Sequence, residues 1–141
     1  MKHHDSYQVA LTAVDFVQPS EEVDARNVDE LVRRIGAQGV WTDPIPIDRD
    51  SGIIMDGNHR ARAAALLQLK RVPCVLLSYE DPRIRVDHWK TGESFDIRTI
   101  FQTIVKHRKT LPYKTTRHSF FPALPKTAVP LETLRSGGDP E

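Results

Sequence analysis

One short segment combines an acid, a glycine, an amide, an imidazole and a guanidinium: Asp56-Gly57-Asn58-His59-Arg60. It stands where a predicted strand, Gly52–Met55, turns into an alanine-rich helix. The first turn of a helix has unpaired N–H groups and a positive dipole end, so it attracts anions. Glycine lets backbone approach a ligand, and arginine holds a phosphate with a planar fork of donors. We therefore expect a phosphate site, although Asp56 as a simple helix cap explains the acid equally well.

An acidic pair, Glu21-Glu22, precedes the first predicted helix. A carboxylate in a phosphoryl-transfer site can orient the accepting hydroxyl and take its proton. Acids also accumulate before helices because the helix dipole favours them there. The residues alone leave both interpretations open.

A third polar cluster lies far along the chain, at Lys114-Thr115-Thr116-Arg117-His118. In an extended segment alternate residues share a side, which predicts that Lys114, Thr116 and His118 face the same way. A cation, a hydroxyl and an imidazole together suit a carboxylate or a phosphate. An ordinary polar loop would have the same composition.

The segments around these clusters predict an α+β domain. Asn27 and Glu30 form a capping-box pattern, followed by an apolar helix face that ends at Gly36 or Gly39. Helices are also expected from Gly57 to Leu69 and after a cap at Ser94. Strands are predicted at 8–14, at 44–48 and 52–55 as a hairpin, and at 72–79, while the proline-rich stretch 111–130 is expected to be mostly extended loop.

Taken in order, the segments 28–35, 44–47, 53–64 and 71–75 resemble the ParB/sulfiredoxin-like superfamily, whose members carry Gly-x-x-Arg or Gly-x-His-Arg at this strand-to-helix turn. The resemblance covers about residues 8 to 79. Within the superfamily, Asp-Gly-x-His-Arg is most similar to the free L-serine kinases, and their Lys-x-Thr-x-His segment matches residues 114–118. Sulfiredoxin carries a catalytic cysteine inside the signature, where this chain has Asn58.

The resemblance implies a small mixed sheet with flanking helices, and a kinase that transfers a phosphoryl group from ATP or ADP, with Mg²⁺, to the hydroxyl of L-serine. The product is O-phospho-L-serine. The roles that it implies are these: Glu21 or Glu22 as the base; Asp56 and His59 near the reacting phosphate, Asp56 also at the metal; Gly57, Asn58, His59 and Arg60 at the nucleotide phosphates; and Trp89, Lys114, Thr116 and His118 at the amino acid.

The composition of the chain bears on which partners and which location are expected. Twenty basic and nineteen acidic residues leave a formal charge of +1, which argues against nucleic acid as the main partner. We expect one domain over 1–135 with a disordered tail at 136–141, in a cytoplasmic protein that has a single cysteine, Cys74, and no membrane segment. The rival hypothesis is a nucleotide-responsive, ParB-like DNA-binding or regulatory module. A kinase-like binder of threonine or homoserine, the choice between ATP and ADP, and the oligomeric state stay open.

Overall fold

The main sheet has three strands in the order β1-β4-β3, in a computed structural model that describes residues 6–136. Strand β1 (Gln8–Ala13) runs antiparallel to β4 (Arg71–Leu77), and β3 (Ile45–Asp48) runs parallel to it. The central strand β4 is buried except at Arg71 and Leu76, as expected for a strand with neighbours on both sides. The sheet is therefore small and mixed, as predicted.

Two helices connect these strands, and only one begins where the sequence predicted. Helix α1 (Ala25–Gln38) is capped by Asp24, whose carboxylate accepts from the N–H of Arg26 at 2.8 Å. The predicted cap at Asn27 is wrong, because Asp24 has the extended backbone that a cap needs and lies earlier in the chain. Helix α1 ends at Gly39, with φ of 74°.

Helix α2 (Asn58–Leu66) begins directly after Gly57, as predicted, but ends three residues before Leu69. Leu69 and the helix residues Ala63 and Ala64 are buried in the main core, against the sheet. Cys74 lies in the same core, and burial raises the pKa of its thiol to about 11. The thiol is therefore a packing group and stays protonated.

The predicted hairpin is present only in part. Its turn forms, with the N–H of Gly52 donating to the carbonyl of Asp48 at 2.8 Å. The second arm is not a strand: Ile54 makes an isolated antiparallel bridge to Ile47, and Ile53 makes a parallel bridge to Gln18. The segment that leads into the turn before Asn58 is thus held between β3 and the chain around residue 18.

The stretch 111–130, predicted to be mostly extended loop, is mostly loop but also contains two strands that the sequence did not predict. Strand β6 (Thr116–Phe120) pairs antiparallel with β5 (Ile84–His88), and β7 (Val129–Pro130) pairs with β2 (Val40–Trp41). A short helix, α4 (Leu131–Ser136), then follows. Ser136, predicted as the first residue of a disordered tail, ends this helix, and the rest of that tail lies outside the described residues.

The third predicted helix is capped by Asp96 instead of Ser94. Helix α3 (Ile97–Phe101) continues as a π-helical turn over Gln102–Lys106. In this wider turn Ile104 is buried whereas Val105 is 49% exposed. Within residues 6–136 no helix combines the length and apolar character needed to cross a bilayer.

Candidate functional site

A cavity of about 490 Å³ brings the three polar clusters of the sequence together. Its walls come from the loop before α1, the turn into α2, and the segment leading into β6. Every side chain that the sequence analysis assigned to the site lines this cavity: Glu21, Glu22, Asp56, Gly57, Asn58, His59, Arg60, Trp89, Lys114, Thr116 and His118. Several further lining residues were not predicted: Leu31, Arg34, Asp43, Met55, Tyr113 and Arg117.

The turn before α2 is built around Gly57 and Arg60. Gly57 has φ of 101°, a left-handed conformation that strains any residue with a Cβ. A Cβ at Gly57 would come within 2.6 Å of Nη2 of Arg60, so the guanidinium lies directly across the glycine. Nη2 also approaches the carbonyl of Pro44 at 3.4 Å, whereas the buried Nε has no partner in the described part of the chain. A cation therefore stands beside the unpaired N–H groups of the first helical turn, an arrangement that attracts anions.

The side chains of Asn58 and His59 point to the acidic loop instead. Asn58 Oδ1 accepts from the N–H of Ser20 at 2.8 Å and of Glu21 at 3.2 Å, and Nδ2 donates to Ser20 Oγ at 3.0 Å. His59 Nε2 accepts from the N–H of Asp24 at 3.0 Å, so the neutral ring carries its proton on Nδ1. These side chains fix the loop. What they leave for a ligand is the backbone N–H of the helix start and the Nδ1–H of His59.

The two acids of the loop have different surroundings. Glu21 is partly buried, and its Oε2 accepts from both the N–H of Thr116 at 2.8 Å and Oγ1 of Thr116 at 2.6 Å. Glu22 is exposed, and its carboxylate lies 3.5 Å from Oγ1 of Thr110. Glu21 is thus the acid with a fixed orientation.

Lys114, predicted to share an extended segment with Thr116 and His118, instead lies in a turn before β6, with φ of 58°. His118 lies on the same strand as Thr116 and on the same side of it, as predicted. Its Nε2 is 3.0 Å from the hydroxyl of Tyr79, which the sequence analysis did not assign to the site. Burial lowers the pKa of His118 to about 4, so the ring is neutral near pH 7. Burial, followed by the charges of Asp48 and Glu21, raises the pKa of Tyr79, so the phenol stays protonated. The pair is therefore an uncharged hydrogen-bonding unit.

Aromatic rings and cations form the rim of the cavity. The guanidinium of Arg117 stacks 4.2 Å from the ring centre of Trp89, a residue that is 37% exposed. The ammonium of Lys114 lies 5.4 Å from Trp89 and 5.2 Å from the ring centre of Tyr113. Cation–π contacts of this kind hold long cationic side chains in place. The rim thus presents two positioned positive charges to an anionic ligand.

Asp56 is the acid that a divalent cation would use. It is exposed in the cavity wall, and its carboxylate has no hydrogen-bond or ion-pair partner within residues 6–136. The same residues contain no group of three or more acids, histidines or cysteines that would hold a metal alone. Mg²⁺ commonly binds through one or two carboxylates together with substrate phosphates. Asp56 alone would therefore hold a magnesium ion only together with the phosphate oxygens of a ligand.

Comparison with known proteins gives one family model and several relatives. The model of the ParB N-terminal domain matches residues 2–88. A Staphylothermus marinus protein named ATP-dependent L-serine kinase is 29% identical over 100 residues, covering 68% of this chain and 40% of that protein. A Sulfolobus acidocaldarius protein named ParB-like protein is 24% identical over 115 residues, covering 78% of this chain and 57% of that protein. The chain spans about half the length of these relatives.

Among solved structures, a free serine kinase in complex with AMP superposes with a TM-score of 0.77 at 15% identity. The match covers 91% of this chain and 93% of that one. At this identity the match concerns the fold, and it confirms the predicted α+β fold of the ParB/sulfiredoxin type. Because the family model matches more than half of the residues, the chain belongs to the ParB N-terminal domain family.

Proposed function

We propose that this chain is a free L-serine kinase, which transfers the terminal phosphoryl group of ATP or ADP to the serine hydroxyl and releases O-phospho-L-serine. One observation carries the proposal: the anion-binding turn at Gly57 and the oriented carboxylate of Glu21 face the same cavity of about 490 Å³. The named activity of the Staphylothermus marinus relative and the fold shared with a free serine kinase support it.

The donor phosphates bind at the start of α2. The N–H groups of its first turn and the Arg60 guanidinium supply donors and positive charge where a phosphate would lie. A magnesium ion held by Asp56 and the nucleotide would neutralise the phosphate oxygens. Arg34, Asp43 and Arg60 line both this cavity and a second one of about 210 Å³, which is the space that we assign to the rest of the nucleotide.

Glu21 prepares the acceptor. Its carboxylate takes the proton of the serine hydroxyl as that oxygen forms a bond to phosphorus and the bond to the departing nucleotide oxygen breaks. Two hydrogen bonds from Thr116 already fix the carboxylate, so little ordering remains for the reaction. Glu22 is exposed, and its carboxylate makes only a long contact to Thr110, so we assign it no part in the reaction.

The amino acid binds against the β6 side of the cavity. Lys114 and Arg117 provide cations for its carboxylate, and Trp89 closes the space beside them. His118 is neutral, so it offers a hydrogen bond to the ligand without adding a charge. A small hydroxy amino acid satisfies this combination of cations and neutral groups.

Incubation of the pure protein with L-serine, Mg²⁺ and either ATP or ADP should produce phosphoserine, detected by ³¹P NMR. Threonine and homoserine serve as competing acceptors in the same assay. Glu21→Gln should lower the turnover number by roughly 100-fold or more, the usual contribution of a general base, while Glu22→Gln stays close to wild type. A well-folded protein that makes no phosphoserine with either nucleotide would refute the proposal. Loss of turnover in Glu22→Gln alone would move the base to that residue.

A further inference from the structure

A second cavity, of about 210 Å³, adjoins the candidate site. Its walls come from helix α1, from the segment 41–43 and from the side chain of Arg60. Four residues line both this cavity and the larger one: Leu31, Arg34, Asp43 and Arg60. The two cavities therefore meet at these four residues.

Asp43 is the one residue of these four whose side chain can accept a hydrogen bond. Leu31 is apolar, and the guanidinium groups of Arg34 and Arg60 only donate. The carboxylate of Asp43 accepts from the ammonium of Lys126 through Oδ1, whereas Oδ2 has no hydrogen-bond partner within residues 6–136. Because the Asp43 side chain is 43% exposed and lines both cavities, a ligand at their junction can reach the carboxylate.

The backbone around Asp43 is held in place by hydrogen bonds. The indole N–H of the buried Trp41 donates to the carbonyl of Asp43 at 2.7 Å. The N–H of Thr127 donates to the carbonyl of Thr42 at 2.8 Å, and its hydroxyl donates to the carbonyl of Trp41 at 2.7 Å. Together with the ion pair to Lys126, these bonds give the carboxylate a defined position at the junction.

The two ends of the nucleotide, as proposed above, place its sugar at this junction. The phosphates bind at the start of α2 beside Arg60, and the smaller cavity takes the base. A carboxylate next to the sugar can accept hydrogen bonds from its hydroxyl groups, as acids do in dinucleotide-binding folds. We infer that Asp43 binds the ribose hydroxyls of the nucleotide and selects ribonucleotides over deoxyribonucleotides. This inference rests on the nucleotide site of the proposed function, but not on the transfer to serine.

The test measures the binding of AMP, 2′-deoxy-AMP and 3′-deoxy-AMP by calorimetry, without serine and without Mg²⁺. Wild type should bind AMP about tenfold or more tightly than at least one of the deoxy analogues, because that analogue lacks a hydrogen bond to a charged group. Asp43→Ala should lose this preference and bind the three nucleotides within about twofold of one another. Its affinity for AMP should fall, although the loss of a negative charge by itself would favour a phosphate.

Asp29→Ala is the matched control, because it removes an exposed carboxylate of α1 that lines neither cavity. It makes the same change of charge and should keep the wild-type preference for AMP. Asp43→Asn keeps the shape of the side chain and one acceptor oxygen, so it should retain only part of the preference. Melting temperatures show whether each variant is folded.

Equal affinities of the wild type for all three nucleotides, no binding of AMP, or an unchanged preference in folded Asp43→Ala would overturn the inference. If Asp43→Ala does not fold, an unchanged preference in Asp43→Asn overturns it instead. The kinase proposal fails separately: a protein that prefers AMP but makes no phosphoserine binds ribonucleotides without the proposed transfer. A protein that makes phosphoserine equally well from ATP and from its 2′- and 3′-deoxy forms is a kinase without the inferred selectivity.

Discussion

Replacing His118 with glutamine should reduce the acid sensitivity of folding between pH 7 and pH 5. Burial lowers the pKa of His118 to about 4 in the folded protein, against an ordinary value of 6.5 in the unfolded chain. As the pH falls below 6.5, the unfolded chain takes up a proton that the folded protein does not bind. The unfolded state is thereby stabilised, and the free energy of unfolding falls until the pH nears 4.

The size of the effect follows from the two pKa values. At pH 5 the unfolded histidine is almost fully protonated, while the folded one is almost fully neutral. Each tenfold change in proton affinity is worth about 1.4 kcal/mol, so His118 alone should lower the free energy of unfolding by about 2 kcal/mol between pH 7 and pH 5. That is a large fraction of the stability of a typical domain.

Urea unfolding followed by circular dichroism at pH 7 and pH 5 measures this difference. Wild type should lose about 2 kcal/mol more on acidification than His118→Gln does, whatever the absolute stability of the variant. The matched control is His107→Gln, which removes an exposed imidazole outside the cavity lining and should alter the acid-induced loss of stability less than His118→Gln does. If His118→Gln shows the same loss as wild type, His118 titrates normally and the argument from burial fails.

Two substitutions test the packing around the site and the core. Gly57→Ala places a methyl group within 2.6 Å of the Arg60 guanidinium, at a residue with φ of 101°. We expect the free energy of unfolding, measured in urea, to fall by about 1–2 kcal/mol. An unchanged free energy of unfolding would show that the turn tolerates a Cβ without strain. Leu134→Ala, at a fully buried position of α4, should cost about 2–5 kcal/mol in the same measurement. The control Leu66→Ala, half exposed on α2, should change little, and equal effects in the two variants would contradict the observed burial.

The sequence predicted the elements whose signals are local. The start of helix α2 was predicted correctly because Gly57 and the alanine run after it mark it within a few residues. Helix caps were predicted less accurately. Asp24 and Asn27 are both residue types that cap helices well, and only the backbone conformation of Asp24 shows which one is used. Strand β6 was missed because its partner, β5, lies about thirty residues earlier, and pairing at that distance leaves no local pattern.

The residues of the site were also predicted only where their signal is local in the chain. The motif residues were predicted because their types and spacing are visible in the chain, and the structure brings them to one cavity. Ser20 and Tyr79 were missed because each matters through hydrogen bonds to a residue distant in the chain, Asn58 for Ser20 and His118 for Tyr79. A buried serine beside an acidic pair and a tyrosine at a strand end carry no spacing signal of their own.

The pairing of β5 with β6 outside the main sheet has a consequence for movement. One half of the cavity is carried by the loop before α1 and the start of α2, which are tied to the main sheet, and the other half by β6. Sliding of the small sheet against the large one would change the width of the cavity between these two halves. The contact between Thr116 and Glu21 joins the two halves directly, so any such movement would have to break its two hydrogen bonds.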